Sequence, residues 1–322
     1  MIKTLAMAAA VTLAAFTAPV AAQTAWPSKP LKVIVPFAPG GTSDFIARLI
    51  ANPLGEALGQ QVIVENKPGN AGNLGAGLMA ASTDNHTVML SDIGSLAISP
   101  LITNDLPFKL SDIKGVTMLG YSPHLLAVHP GVKANTLKEL VEISKTKPIN
   151  VASAGSGSPN HLGVVEIALA TGMRWQHVPY KGGAQALTDM IAGTTDLILN
   201  GMVATNPHVQ SGKLKLIGVS SAKRMAALPN AATIAEQGVP GFESGTYQGI
   251  TAPASFPADA AAKLGAALKK VMAMPDIDKR MNEAGAVVQT NTPEELTAFI
   301  GKEASRWAGV IKQAGANIEG TK

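Results

Sequence analysis

Residues 31–44 read LKVIVPFAPGGTSD, and this stretch decides the prediction of the fold. Leu31–Val35 is a short apolar run of the kind that forms a buried strand. Phe45–Leu58 follows with apolar residues at helical spacing, and Gly59 ends that helix. A strand, a glycine-containing loop and a helix in this order are typical of an α/β fold, in which helices cover both faces of a mostly parallel sheet.

The same alternation of strands and helices continues along the rest of the chain in two sets. The predicted elements of the first set are the strands Val62–Val64 and Val88–Leu90 and the helices Leu74–Ala81 and Gly94–Leu101. Those of the second set are the strands Leu125–Val128, Asn150–Ala152, His177–Val178, Leu197–Leu199, Lys215–Ser220 and Gly249–Ala252 and the helices Leu137–Thr146, Pro159–Thr171 and Gln185–Ala192, with a helical tail over Ala258–Met272, Pro275–Ala284 and Pro293–Gln313. Because no low-complexity linker separates the sets, we expect two lobes joined by crossing strands, with the C-terminal helices packed on the first lobe.

The first residues have the features of a secretory signal peptide. Lys3 precedes an apolar stretch over Leu5–Val20, and small residues stand at the end of this stretch. We predict cleavage after Ala22. The apolar stretch is shorter than the roughly 20 residues that a membrane-spanning helix needs, and no later run is long enough, so we expect a soluble exported protein.

The composition limits the classes of partner. The net charge is only +4 and aromatic residues make up 4% of the chain, with basic residues scattered along it. This pattern does not favour nucleic-acid binding, which needs clustered basic residues. Cysteine is absent, so an exported chain of this length must be stabilised by its core, and about 300 residues after cleavage favour two domains.

The loop from Pro36 to Asp44 is the first predicted ligand site. It follows a strand, contains Phe37, and ends in the run Pro39, Gly40, Gly41, Thr42, Ser43 and Asp44. Glycine lets the backbone approach a ligand closely, and the last three residues of the run are able to cap the helix. The free N–H groups and positive dipole end of that helix suit a carboxylate or a phosphate. An ordinary capped turn is the alternative interpretation.

A second loop repeats this design. It contains Ser153, Gly155, Ser156 and Ser158, and Pro159 stands at the first helical position. Two helix ends, one from each lobe, would hold an acid from both sides. His161 is included in the site, although a structural residue in the first helical turn is the commoner role.

Two further segments contain polar residues after predicted strands. Lys181 stands in a Gly-rich loop over residues 178–184, where it would attract an anion unless it is an ordinary surface lysine. Asp196 and Asn200 lie four residues apart around a strand, so we expect both to face one side. Residues 66–75 form another Gly-rich loop, interpreted either as the rim of a cleft or as a plain loop.

Enzymatic signatures are thin. The chain has no Gly-x-Ser-x-Gly elbow and no His-Glu-x-x-His motif, and its six histidines lack metal-ligand spacing. We therefore expect no metal, no cofactor and no catalysis. An enzyme that acts on an organic acid, with Asp44 or His161 as acid–base, is the weaker alternative.

Together these loops resemble the Bug (TctC-like) solute receptors of tripartite tricarboxylate transporters. The matching stretches are residues 26–30, 35–44, 65–69, 153–161, 178–182, 207–214, 222–229, 236–242 and 252–253. The resemblance implies a two-lobed, type II periplasmic-binding-protein fold with a ligand cleft between the lobes. It implies that lobe 1 comprises residues 26–126 plus 246–322, and that lobe 2 comprises residues 127–245. It also implies a periplasmic location.

The resemblance further implies what the cleft binds and which partners the protein has. The ligand would be a small organic acid, held by the two loops together with Ser95, Asn200 and Tyr247. The partners would be a large and a small membrane subunit of a transporter, and we expect a monomeric receptor. A sensory receptor that presents the acid to a signalling protein is the alternative.

Some positions depart from the usual family pattern, among them Ser99 and the pair Tyr247-Gln248, and two of them bear on the charge of the pocket. Many relatives have His where this chain has Leu96, and Asp where it has Asn200. Both changes reduce the charge of the distal pocket. We hypothesise from them that the ligand has one carboxylate and an apolar or aromatic remainder.

Overall fold

The computed structural model describes residues 26–320, and the predicted signal peptide lies outside these residues. The strands within this range are β1 (Leu31–Val35), β2 (Val62–Asn66), β3 (Thr87–Asp92), β4 (Ile113–Val128), β5 (Ile149–Ser153), β6 (Trp175–Pro179), β7 (Leu197–Gly201), β8 (Lys215–Val219), β9 (Gly245–Pro253) and β10 (Val287–Val288). The α-helices are α1 (Thr42–Leu58), α2 (Asn73–Ala80), α3 (Ile93–Ile102), α4 (Leu137–Thr146), α5 (Pro159–Thr171), α6 (Gly183–Ile191), α7 (Met202–Gln210), α8 (Ala258–Met272), α9 (Pro275–Ala284) and α10 (Pro293–Ala314).

The sheet has two parallel ends joined by antiparallel strands. Its order is β2-β1-β3-β9-β4-β7-β5-β6, with β8 and β10 also paired to β4. The pairs β1–β2 and β1–β3 are parallel at one end, and β5–β6 and β5–β7 are parallel at the other. Every pairing that involves β4 or β9 is antiparallel.

Strand β4 joins the two halves of the molecule. Its residues up to Pro123 pair with β9, and those from His124 onward pair with β7 and β8. The sequence analysis predicted only Leu125–Val128 as a strand. The observed strand begins 12 residues earlier, at Ile113, so the predicted start was wrong. Gly115, Thr117 and Gly120 interrupt the apolar pattern there, so the first part of β4 does not have the appearance of a buried strand.

Each half has its own apolar core. One core packs α1 and α8 against β1, and includes Ile46, Leu54 and Leu264. The other packs α4 and α5 against β5 and includes Leu162 and Trp175. The two-lobed α/β fold is thereby confirmed.

The C-terminal helices divide between the halves. Helices α8 and α9 pack in the first core, as expected. Helix α10 contacts α3 and β4 as well as α5 of the second half, and its Trp307 is buried in the second core. In the part of the chain that the structure describes, no helix is both long and apolar enough to cross a membrane.

Candidate functional site

A small cavity of about 40 Å³ lies where the two halves meet. This volume is enough for a few water-sized positions, since one water needs about 10–15 Å³ by the same kind of measure. Residues of both halves line it: Phe37, Ala38, Gly41, Thr42, Ser43, Asp92, Ser95, Ala154, Ser158, Pro159, Asn160, Gly183, Asn200, Ala204 and Thr246.

The structure brings about half of the predicted site residues to this cavity. The predicted residues that line it are Phe37, Gly41, Thr42, Ser43, Ser95, Ser158 and Asn200. Those that do not line it are Pro39, Gly40, Asp44, Ser153, Gly155, Ser156, His161 and Tyr247. Asp44, Ser153 and His161 of the second group accept hydrogen bonds from backbone N–H groups of the loops that line the cavity.

The first turn of helix α1 offers free N–H groups to the cavity. Gly41 is the N-cap residue, and no side chain caps the helix. Thr42 and Ser43 follow, are buried, and add hydroxyl groups to the cavity wall. An uncapped helix N-terminus that faces a buried cavity is a site for an anion, because unpaired N–H groups and the positive dipole end converge there.

Asp44 fixes the shape of this loop from behind. Its Oδ2 accepts a hydrogen bond from the Gly40 N–H at 3.0 Å, and its Oδ1 accepts from Arg48 Nε and Asn66 Nδ2, each at 3.0 Å. Burial opposes the ionisation of Asp44, but these donors outweigh it and hold its pKa below the usual value. Gly40 has a φ of 85°, a conformation that favours glycine. Asp44 therefore positions the loop instead of contacting the cavity.

A second glycine-capped helix begins at the same cavity. Helix α6 has Gly182 as its N-cap, again with no side-chain cap, and Gly183 lines the cavity. A Cβ built on Gly182 would lie 3.2 Å from Ala38 N, so this loop packs against the loop before α1. The exposed Lys181 beside it does not line the cavity.

Helix α5, which the sequence analysis paired with α1, has fewer free donors. Ser158 Oγ accepts a hydrogen bond from His161 N at 3.3 Å, and Pro159 has no N–H. Ser158 nevertheless lines the cavity. The first turns of α1 and α6 have no side-chain cap at this cavity. Helix α7, whose Ala204 also lines the cavity, has a glycine N-cap without a side-chain cap as well, but its Val203 N–H donates to Ser122 Oγ at 3.4 Å.

An ordered amide network forms another part of the wall. Asn160 Nδ2 donates to Leu199 O and to Asn200 Oδ1, each at 3.0 Å. Asn200 Nδ2 donates to Thr205 Oγ1 at 3.1 Å, and Thr205 Oγ1 donates to Gly201 O at 2.9 Å. The sequence analysis expected Asp196 to face the same site as Asn200. Asp196 instead lies just before the start of β7, whereas Asn200 lies near its end, and Asp196 accepts a hydrogen bond from Asn150 N at 2.9 Å.

Sequence reasoning missed Asp92, a buried carboxyl group in the cavity wall. Asp92 caps α3, and its Oδ1 accepts hydrogen bonds from Gly94 N at 3.0 Å and Tyr247 N at 3.2 Å. Burial raises the pKa of Asp92 to about 7, although these two N–H donors act in the opposite direction. An acidic residue directly between a predicted strand and a predicted helix is the sequence signal that could have identified this position.

The hypothesis of a weakly charged distal pocket needs correction where it rests on Leu96, whereas Asn200 does line the cavity. Leu96 is buried in an apolar cluster with Met89 and Phe108 and does not line the cavity. It faces away from the cavity because Ser95, the residue before it on α3, faces inward. Asp92 instead brings an ionisable group to the wall. The loss of a family histidine at position 96 therefore says nothing about the charge of this cavity.

His124 is a buried residue that contacts Thr246, one of the residues of the cavity wall. Its Nδ1 and Nε2 lie 2.8 Å from Ser244 Oγ and 3.1 Å from Thr246 Oγ1. Burial lowers the pKa of His124 to about 3, so the ring is neutral at neutral pH. It therefore adds no positive charge to the site.

His161 lies on the other side of its loop from the cavity. Its Nε2 lies 2.7 Å from Ile318 O, its Nδ1 accepts from Gly157 N at 3.1 Å, and its ring stacks on His177 at 3.9 Å. His161, His177 and Glu319 bring their ligand atoms within 4.8 Å of one another, a grouping that sequence spacing did not reveal. Because the ring nitrogens have hydrogen-bond partners, this cluster fastens the C-terminal segment to the loop.

A larger groove, of about 1030 Å³, lies elsewhere, along the first part of β4 between α8 and α10. Its walls are mainly apolar and include Leu96, Val116 and Ala262. The first residues of both α8 and α10 line it, together with Lys114 and Lys269 and the acids Glu294 and Glu295. At the α10 end, a capping box of Thr292 and Glu295 satisfies two N–H groups. All of these residues belong to the first half of the molecule, whereas both halves line the smaller cavity, so the smaller cavity is the better site for a ligand on which the lobes close.

A small cleft between two α/β lobes, with helix N-termini in its wall, is the arrangement of a solute receptor. The sequence matches the model of the tripartite tricarboxylate transporter family receptor over residues 46–316. The chain belongs to this family. Since the family consists of receptors, the expectation of a binding protein instead of an enzyme is confirmed.

Relatives and solved structures agree with this assignment. Protein BugT of Bordetella pertussis is 32% identical over 311 residues, which are 95% of each chain. The structure of an R. palustris protein with adipate is 29% identical with a TM-score of 0.87, covering 90% of this chain and 98% of that one. The periplasmic binding protein BugD is 31% identical with a TM-score of 0.86, covering 90% and 99%. The predicted resemblance to Bug receptors is confirmed.

Proposed function

We propose that this receptor binds a small organic acid in the cavity between its two halves and delivers it to the membrane subunits of a tripartite tricarboxylate-type transporter. One observation carries the proposal: two glycine-capped helix ends, those of α1 and α6, meet at the cavity from opposite halves of the molecule. A carboxylate between them would accept hydrogen bonds from both lobes. Such contacts exist only when the lobes are closed, so the acid stabilises the closed form.

The transporter role draws support from the family, which is named for the transporter that it serves. The R. palustris relative is described with adipate, a carboxylic acid. We keep the proposed lobes at residues 26–126 plus 246–322 and 127–245, since β4 changes partners near Pro123 and His124. We further propose that the protein is secreted to the periplasm with cleavage after Ala22 and that it is a monomer.

The test is a calorimetric titration of the purified mature chain with small carboxylic acids and with their uncharged amides. We expect at least one acid to bind and its amide to bind at least tenfold more weakly, because the helix ends stabilise a negative charge. Equal affinity for acid and amide would contradict an anion site. Uptake of the bound acid by cells with and without the receptor gene tests delivery.

A further inference from the structure

The cavity wall offers hydrogen-bond donors in one region and acceptors in another. The donors are the first turns of α1 and α6 described above. The acceptors belong to Asp92 and Asn160, which lie close together. A Cβ built on Gly94 would lie 3.3 Å from Asp92 Oδ1 and 2.8 Å from Cγ of Pro159, the residue before Asn160.

The orientation of the Asn160 amide is fixed by its neighbours. Leu199 O is a backbone carbonyl and accepts only, so the atom that faces it must be Nδ2. Oδ1 of Asn160 then points the other way, and no described residue donates a hydrogen bond to it. The cavity-lining side chain of Asn160 therefore presents an acceptor.

Asp92 presents a second acceptor. Both backbone donors reach its Oδ1, which leaves Oδ2 without a hydrogen bond from any described residue. Ser95, one turn along α3, lines the same cavity, and its buried Oγ has no partner among the described residues either. A ligand group at this place needs to donate hydrogen bonds to Asp92 Oδ2 and Asn160 Oδ1, because a buried acceptor without a partner is costly, while the Ser95 hydroxyl can either donate or accept.

Positive charge is missing from the same wall. Among the residues that line the cavity, Asp92 is the one with an ionisable side chain, and none is Lys, Arg or His. A second ligand carboxylate would therefore meet the carboxyl group of Asp92 with no cation to balance it. A cationic nitrogen would both neutralise Asp92 and supply the missing donors.

We infer that the ligand is a carboxylic acid that also carries a protonated amine, and that Asp92, with Asn160 and Ser95, binds this ammonium group. The inference rests on the proposed function, because α1 and α6 hold the carboxylate of the same molecule. It replaces the apolar or aromatic remainder that the sequence suggested. Asp92 is then the residue that selects between amino acids and simple acids.

The charged groups around Asp92 set the pH range of binding. Glu303 of α10 is the nearby acid that disfavours its ionisation, and Arg306 on the same helix is paired with Glu166. Asp44 is paired with Arg48, and His124 is neutral. Since burial raises the pKa of Asp92 to about 7, the empty receptor loses its negative charge below neutral pH. Affinity for an ammonium group should fall as the pH drops from 8 to 5, by up to tenfold per unit.

The experiment compares amino acids with their deaminated counterparts. The twenty common amino acids, β-alanine and γ-aminobutyrate are titrated into the mature chain beside the matching acids without the amine. We expect at least one amino acid to bind tenfold or more tightly than its counterpart. In Asp92→Asn, which can still cap α3, that preference should disappear while the melting temperature stays close to wild type. Asp105→Asn, a change at an exposed loop residue, is the matched control and should keep the preference.

The outcomes separate the two claims. Acids that bind as tightly without the amine as with it, or an affinity that rises as the pH falls, would overturn the inference and leave the proposed function intact. Binding of no acid of either series would contradict the proposed function as well. An unchanged preference in Asp92→Asn would place the ammonium site elsewhere.

Discussion

Gly40 and Gly41 are neighbours in the loop before α1, but they are glycine for different reasons. Gly40 has a φ of 85°, where any side chain is strained. Gly41 is extended, and a Cβ built on it would meet only Ala38 O, at 3.8 Å. The backbone therefore tolerates a side chain at Gly41, whereas the cavity that Gly41 lines does not.

Substitution of Gly41 by valine should separate binding from folding. We expect Gly41→Val to keep the melting temperature within a few degrees of wild type and to weaken acid binding by at least a hundredfold, since the side chain fills the place of the carboxylate. Thermal unfolding and calorimetry measure the two effects.

Gly59→Ala provides the matched control for this substitution. Gly59 ends α1 with a φ of 72°, far from the cavity, so its replacement should cost about 1 kcal/mol of stability and leave affinity unchanged. Normal binding by Gly41→Val would place the carboxylate elsewhere.

At the scale of elements, sequence signals at helix ends predicted boundaries well. Helices α5 and α9 have proline at the first position and glycine directly after the last residue, and both were predicted with their observed bounds. The bounds of α8, which follows Pro257, were also predicted correctly. Helix α7 was missed, because Pro207 stands inside it and its apolar residues do not follow one face. Strand β10, two residues long, has no recognisable pattern.

The site was predictable only where it is local in sequence. The Pro39–Asp44 loop shows its strand, glycines and helix start within a few residues. Asp92 and Asn160 become neighbours only when the two halves close. Their pairing depends on a contact between α3 and α5 that no spacing in the sequence encodes.

The cap of α5 gives a prediction at this scale. We expect Ser158→Ala to cost about 1 kcal/mol of unfolding free energy, because the His161 N–H loses its partner. Denaturant unfolding should give a similar cost for Thr136→Ala, which removes the equivalent cap of α4. Only the Ser158 variant should also weaken acid binding, since Thr136 does not line the cavity. Equal effects of both variants on affinity would argue against a role for the α5 end.

At the scale of the whole molecule, closure depends on close contact between the halves. Gly94 of α3 lies against Pro159 of α5, and an alanine Cβ there would lie only 2.8 Å from Pro159 Cγ. We expect Gly94→Ala to hinder closure, to weaken acid binding at least tenfold, and to leave a larger radius of gyration in small-angle scattering with the acid present. A ligand-induced compaction equal to that of wild type would contradict this role.

The stability of the whole fold should depend on pH through two buried groups with opposite effects. His124 has a folded pKa of about 3, so between pH 3 and its ordinary pKa of about 6.5 only the unfolded chain binds this proton, and stability falls as the pH drops. Asp92 has a folded pKa of about 7, so its contribution is full at low pH and is lost as the pH rises towards 7. Each group contributes up to about 1.4 kcal/mol per pH unit.

Variants of these two residues separate the effects. Between pH 6.5 and 4.5, Asp92→Asn should lose unfolding free energy more steeply than wild type as the pH drops, because the opposing group is gone. His124→Gln should lose it less steeply. Denaturant unfolding at several pH values measures the slopes, and identical slopes in all three proteins would contradict these pKa assignments.

A crystal structure of the mature chain with its tightest-binding acid tests the central claim most directly. The account predicts the carboxylate between the first turns of α1 and α6, with Gly41 and Gly183 against it. The acid in the groove between α8 and α10, or a cavity between the halves that holds only water, would contradict the account.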